Sequence, residues 1–466
     1  MRTNILTVAW GDSLAARLLE PVSRRIPVDF AHVCLTTPAA ESMRRAIPSA
    51  RVIDLGMPVN GPFPAPDLAL LASLEGEGIP TVNNMILGDR VLRNLPPEEA
   101  RRYVSALAGR LVDALGREGP DIVLGGFDSA HAALGLAASR RLGIPWVAMH
   151  FSAIPQGLMN FCTGISPNTP LPIRRPIDDA LRADAKRELA TFLQRKNRVL
   201  AVRSANSVEM VVRRLPTHAW TLARRLADRA TGRLNHFNSA TPSATVRQWL
   251  RKRQNLLLFG RVPLVATPPE ERFAFFPLHM QPESSIDAWA PFQANQFNVV
   301  EQIARAIPAD MTLAVKIHMS DADNYSPKEL AKLRALPGVK LVHPQASSRD
   351  FLERSSITFG IMGTACLEAA LLRKPVVMFG SSPYLGLPGV SRAERPDHLP
   401  ALVRTMLDAP PATEAELEAA FTTYLSQYMP ATLNDWDMPL SDGDVERYCA
   451  CFLRLCDHLS AQVTGA

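Results

Sequence analysis

The chain has 466 residues, 47% hydrophobic and 21% charged, with a formal charge of +6 and a mean hydropathy of −0.00. That balance excludes disordered, fibrous and membrane-spanning chains and leaves a globular protein of two or three domains, each able to bury a core. Residues 1–254 hold 34 Lys and Arg against 21 Asp and Glu (+13), and residues 255–466 hold 17 against 24 (−7), so a nucleic-acid binder basic throughout is disfavoured.

Short apolar runs alternate with amphipathic stretches along the first half. Ile5–Ala9 reads as a strand, ended by Gly11-Asp12-Ser13, which caps a predicted helix over Leu14–Arg25. Val28–Cys34 and Arg51–Leu55 read as further strands. Pro97–Arg117 has helical spacing, with Tyr103, Leu107, Leu111 and Leu115 four residues apart. A strand at Asp121–Leu124, a turn at Gly125–Ser129, a helix over Ala130–Leu142 and a strand at Ile144–Met149 follow. Continuous apolar strands alternating with helices predict a parallel sheet covered on both faces. Residues 203–254 are different, with 11 Lys and Arg against Glu209 and Asp228 alone, a local +9. They read either as a solvated basic helix beside a linker or as a surface for anionic lipid headgroups or a phosphate-bearing acceptor.

The second half restarts the pattern. Strands are predicted at Phe273–Phe276, Thr312–Ile317, Val339–Val342, Ile357–Ile361 and Val376–Phe379. Helices are predicted at Asn295–Ala306, Lys328–Leu336, Ser348–Arg354, Thr364–Leu372, His398–Leu407 and Glu414–Gln427. Cys449, Cys451 and Cys456 lie on the apolar period of Val445–Leu459 and read as buried helix thiols rather than metal ligands. With no secretory signal and no long apolar run, a cytoplasmic compartment is expected. The expected organisation is an N-terminal Rossmann-like domain over 1–200, a basic helical linker over 201–256, a second Rossmann-like domain over 257–400 and C-terminal helices over 401–466. Two such α/β domains are expected to face a central cleft.

Ligands of open parallel sheets gather beyond the carboxyl ends of the strands, so residues just after strands are site candidates. After Phe273–Phe276 come His279, Gln281 and Glu283, which place an imidazole, an amide and a carboxylate on a proline-stiffened loop; an ordinary surface loop is the alternative. Lys316 and His318, two apart at the end of a strand, are expected to point the same way and suit a phosphate; a lone Lys-x-His is common, and on spacing alone the structural alternative is favoured. At Gly363-Thr364 a strand runs straight into a helix, whose N-terminal amides attract anions, and Glu368, one turn on, suits a ribose; a packing-only strand–turn–helix is the alternative. Asp321-Ala322-Asp323 has the D-x-D form of metal-dependent sugar transferases, but 435–437 and 442–444 repeat it, so it specifies little and no metal is expected. No P-loop, dinucleotide fingerprint, zincin or hydrolase motif occurs.

The run 275–283 (Phe-Phe-Pro-Leu-His-Met-Gln-Pro-Glu), Val315-Lys316-Ile317-His318, Val339–Pro344, Gly363-Thr364 with Glu368, Lys374-Pro375-Val376 and Phe379-Gly380 occur in order. Together they resemble the capsule polysaccharide biosynthesis family, which includes bacterial β-Kdo transferases. The resemblance covers about 270–395. It implies a GT-B-like fold, with a nucleotide-sugar donor, CMP-linked favoured, in the C-terminal domain and the acceptor in the N-terminal one. It places Gln281-Pro282-Glu283 and His318 in the donor site. The family's Lys-Glu-His-Pro is here Lys316-Ile317-His318-Met319, whereas its Gly-Thr-x-x-x-Glu is retained.

The expected activity is transfer of a sugar, Kdo or a related ulosonic acid, to a surface-polysaccharide or glycolipid acceptor. His279, Gln281, Lys316, His318, Gly363, Thr364 and Glu368 are expected to bind the donor, and Glu283, grouped with the catalytic residues, to hold the sugar or base. Asp128 is the first choice for catalytic base, His131 the second and Asp12 a reserve; Asp128 capping the following helix is the alternative. No cofactor and no nucleic acid is expected, and the basic segment suggests peripheral contact with the inner membrane. The competing readings are a non-catalytic scaffold of a polysaccharide assembly complex and a sugar-nucleotide epimerase.

Overall fold

The computed structural model describes residues 2–126, 129–194, 208–231, 233, 235–321, 323–432 and 439–464. The chain forms two compact units that are discontinuous in sequence. The first is Met1–Arg175, Ala227–Ala240 and Gln427–Ala466, and the second is Pro176–Leu226 and Thr241–Ser426. The basic segment 203–254 is thus shared between them. Of the C-terminal helices, Leu399–Asp408 and Glu414–Ser426 stay with the second unit, whereas Asp442–Thr464 returns to the first. An apolar face draws it back: Phe452 packs edge-on to Phe30 at 5.4 Å and to Phe161 at 5.5 Å.

The first unit is built on strands β1 (Thr3–Val8), β2 (Val28–Cys34), β3 (Arg51–Asp54), β4 (Ile122–Gly125), β5 (Trp146–Phe151) and β6 (Leu158–Cys162). A late strand (Met429–Pro430) completes the order late strand–β6–β5–β4–β1–β2–β3. The strands β5–β4–β1–β2–β3 are parallel, whereas β6 runs antiparallel to β5, and the late strand antiparallel to β6. The core strands are buried on both faces, which explains their unbroken apolar sequences.

The helix Pro97–Glu118 buries the predicted stripe of Tyr103, Leu107, Leu111 and Leu115. Pro97 and the acidic Glu98 and Glu99 open it, and Gly119, at φ 51°, closes it in the left-handed conformation. The predicted helix after β1 spans Asp12–Ser23 with a π-helical stretch at Ala15–Leu19. β4 runs on to Gly125, one residue past the predicted strand, where Gly125 pairs with Val8 and Ala148 and the Trp146 indole covers its backbone. A Cβ on Gly125 would lie 2.2 Å from the Trp146 ring.

In the second unit β7 (Phe273–Pro277), β8 (Thr312–Lys316), β9 (Val339–Val342), β10 (Ile357–Gly360), β11 (Val376–Met378) and β12 (Val390–Arg392) form a sheet. Its order is β12–β11–β10–β7–β8–β9, parallel throughout. Read from β9, that is the Rossmann strand order, which reverses direction between β7 and β10. The buried Phe273, Phe275, Phe276, Phe351 and Phe359 fill both of its faces.

Candidate functional site

The loops that leave β7 and β10 meet at this reversal point. The chain leaves β7 through Leu278 and His279, and leaves β10 through Ile361, Met362 and Gly363, where the helix Thr364–Leu371 begins. Gly363 is the N-cap of that helix and has no capping side chain. The buried imidazole of His279 takes that space: a Cβ on Gly363 would lie 2.9 Å from its Cε1 and 3.3 Å from its Nε2. Glycine is therefore required here by close approach, since φ is an ordinary −70°.

Burial, with a smaller electrostatic contribution from His318, lowers His279 from 6.5 to about 4, so its ring is neutral at pH 7. His318 lies in the turn after β8, where its Nδ1 accepts from the Ser320 amide at 3.2 Å; Nε2 is then the ring nitrogen that carries hydrogen. The site thus joins two imidazoles to the positive end of a helix, an arrangement suited to an anion.

Buried polar contacts fix the His279 loop. Its backbone N–H donates to Gln296 Oε1 at 2.7 Å and its carbonyl accepts from Gln296 Nε2 at 3.1 Å. The peptide joining Gln281 to Pro282 is cis. The Gln281 side chain donates to Asp287 Oδ1 at 3.2 Å and to the Ala294 carbonyl at 3.0 Å, and accepts from Gln296 Nε2 at 2.9 Å. Glu283 donates its N–H to Asp287 Oδ2 at 3.1 Å, and its carboxylate accepts from Ser285 Oγ at 2.9 Å.

The structure brings His279, His318, Gly363 and Thr364 to the ends of β7, β8 and β10, with Gln281 and Glu283 on the loop that follows His279 and Glu368 one turn into the helix. Lys316 is the last residue of β8, and its buried ammonium donates to the Pro344 carbonyl at 2.9 Å. Asp287, Gln296, Asp321 and Asn324 complete the site; only Asp321 carried a sequence signal, the D-x-D pattern.

In the first unit, Asp128 lies outside the described residues. His131 is buried in the helix Ala130–Arg141, with Nε2 2.8 Å from the Tyr103 hydroxyl and the two rings edge to face. Asp12 accepts from its neighbour's amide, Ser13 N, at 2.7 Å and from Ser42 Oγ at 2.5 Å. Among the described residues no cluster of three or more His, Cys, Asp or Glu side chains is arranged to hold a metal ion, and no helix is long and apolar enough to cross a membrane.

Two Rossmann-like units, with an anion-suited site at the strand-order reversal of the second, make this an α/β protein of GT-B-like fold. The chain belongs to the capsule polysaccharide biosynthesis protein family, whose model matches residues 189–427, taking in the helix Asp179–Gln194 only at its end but every strand of the second sheet. Among solved structures it is similar to the KpsC β-Kdo 2,7 transferase of Thermosulfurimonas dismutans, at 12% identity and a TM-score of 0.34 over 74% of this chain and 89% of that one. It is also similar to the Methanocaldococcus jannaschii UDP-GlcNAc 2-epimerase solved with UDP-GlcNAc and UDP, at 12% identity and a TM-score of 0.31 over 98% and 100%. A glycosyltransferase from Rickettsia africae is 9% identical, with a TM-score of 0.30 over 98% of both chains. No curated protein matches the sequence.

Proposed function

We propose that the chain is a glycosyltransferase that moves a sugar, Kdo or a related ulosonic acid, from a CMP-linked donor to a surface-polysaccharide or glycolipid acceptor. The observation that carries this reading is the His279 imidazole seated on Gly363 at the strand-order reversal, with His318 beside it. In the reaction the bond from the anomeric carbon to the phosphate oxygen breaks, and its electron pair leaves with the nucleotide. The acceptor oxygen bonds to that carbon and gives up its proton. His318 Nε2–H and the first amides of the helix Thr364–Leu371 take up the charge that grows on the departing phosphate. Glu368 suits the ribose and Glu283 the sugar. Asp128 or His131 is proposed as the base that receives the acceptor's proton.

Replacing His318 with Ala is expected to weaken nucleotide binding by about 1–3 kcal/mol, as loss of a hydrogen bond to a charged group does. Calorimetry with CMP, UDP and GDP measures it, and an unchanged affinity removes His318 from the site. Product analysis separates the classes of activity: transfer to an acceptor supports this reading, an altered sugar on the nucleotide supports an epimerase, and binding without turnover supports a scaffold.

The acceptor is proposed to be membrane-attached. On the helix Pro242–Phe259 the exposed Val246, Trp249, Leu250 and Leu257 recur at helical spacing, and Arg247, Arg251, Lys252 and Arg253 accompany them. An exposed apolar stripe on a basic helix fits the interface of an anionic bilayer. The chain should therefore co-sediment with phosphatidylglycerol vesicles but not with phosphatidylcholine vesicles, and replacing Trp249 and Leu250 with Ser should abolish it. Equal sedimentation with both lipids, or with both variants, would remove the helix from this role.

A further inference from the structure

The D-x-D pattern at 321–323 has a different use from the one its form suggests. Asp321 is 1% exposed and sits in the turn that carries His318, its N–H donating to the His318 carbonyl at 3.0 Å. Its carboxylate Oδ2 accepts the Gln281 backbone N–H at 3.0 Å, and Oδ1 accepts the Asn324 side-chain amide. The same Asn324 amide donates to the Gln281 carbonyl at 2.8 Å. Asp321 and Asn324 thus hold both backbone polar groups of Gln281, as a neighbouring strand would.

The remainder of Gln281 is equally occupied. Both of its side-chain protons go to protein acceptors, Asp287 and Ala294, and its side-chain oxygen accepts from Gln296. A ligand could take those protons only by breaking bonds that fix the loop. The second acid of the pattern is anchored as well. Lys252 Nζ lies 3.5 Å from Asp323 Oδ1, and Asn255 Nδ2 donates to the Asp323 carbonyl at 3.0 Å, tying the turn to the helix Pro242–Phe259.

We propose that Asp321 is a positioning residue that locks the loop bearing His279 and Glu283 to the turn bearing His318, with Gln281 as the link between them rather than a ligand of the donor. The two imidazoles come from loops that follow different strands, β7 and β8, and the sheet alone fixes only the points where those loops begin. The Asp321–Gln281 bond spans 40 residues of sequence and, with Asn324, directly couples the two loops. The consequence for nucleotide binding rests on the proposed donor site; the coupling of the loops does not.

The test uses the full chain and two substitutions. Asp321→Asn keeps the shape but turns one acceptor towards a donor, and Asn324→Ala removes only the amide and remains informative if the first variant folds poorly. Hydrogen exchange of the ligand-free proteins should show faster exchange across 278–283 and 317–324, by about tenfold or more, with β8 and the helix Gln296–Ala306 unchanged. Nucleotide affinity should fall about tenfold in either variant, and much less when either is added to His318→Ala, because the losses share one cause.

Unchanged exchange in both variants would overturn the lock. Faster exchange with wild-type affinity, or losses that add fully to His318→Ala, would overturn its positioning role. If the wild-type chain binds none of CMP, UDP and GDP, the donor-site reading and the positioning role fall together, while the exchange result still decides whether the two loops are coupled.

Discussion

Lowering the pH from 6.5 to 4 should destabilise the first unit by several kcal/mol and leave the second nearly unchanged. The first unit holds His32 and His150, both lowered to about 4, chiefly by burial. His32 is buried within β2 against the Thr7 hydroxyl, 2.8 Å from its Nδ1. In the unfolded chain these rings take up protons near pH 6.5, whereas in the folded unit they resist to about 4. Between those values unfolding binds protons, so stability present above 6.5 is lost as the pH falls. Each histidine contributes up to about 3 kcal/mol.

In the second unit two groups oppose each other. His279, also lowered to about 4, acts in the same direction as the first unit's histidines. Asp321 is raised from 3.8 to about 6 by burial, against the Gln281 N–H, Lys252 and Asn324, with Asp323 adding to the rise. Its folded form holds a proton that the unfolded form releases, so its contribution grows as the pH falls below 6. The two nearly cancel. Urea titrations at pH 7, 5.5 and 4.5, followed by hydrogen exchange to resolve the units, measure the difference; a second unit that loses as much stability as the first would refute it.

Gly363→Val should abolish nucleotide binding, weakening it by about a hundredfold or more, the equivalent of about 2.7 kcal/mol. A single Cβ already falls 2.9 Å from the His279 ring, and valine adds two branches in a site where that ring is buried. The imidazole must leave or the helix N-terminus must move, and either change takes apart the anion site. Gly363→Ala should show a smaller loss, about tenfold, because only one atom must be accommodated. A Gly363→Val protein that folds and binds nucleotide like the wild type would show that the site lies elsewhere.

Much of this architecture was legible in the sequence because the strands of parallel sheets are buried on both faces. β1, β2, β4, β5, β7, β8, β10 and β11 are largely apolar runs for that reason, and the helices between them carry clear stripes. What escaped was the antiparallel structure of the first sheet and the short edge strand β12. β6 carries Asn160 within its apolar run, β12 is the three residues Val-Ser-Arg, and the strand Met429–Pro430 has only two, so none stands out from a loop. The return of Asp442–Thr464 to the first sheet depends on contacts hundreds of residues apart, such as Phe30 against Phe452.

The same division holds at the site. His279, His318 and Gly363 could be found because they follow strands. Gln296, Asp287 and Asn324 could not, since each acts through partners that only the folded loops bring near.

The most direct test of the donor-site assignment is a crystal structure of the chain with CMP, or with UDP or GDP if one of these binds more tightly. The phosphate is expected against the amides of Gly363, Thr364 and Ala365 and within hydrogen-bond distance of His318 Nε2. A nucleotide bound in the first unit, or away from the ends of β7 and β10, would contradict it.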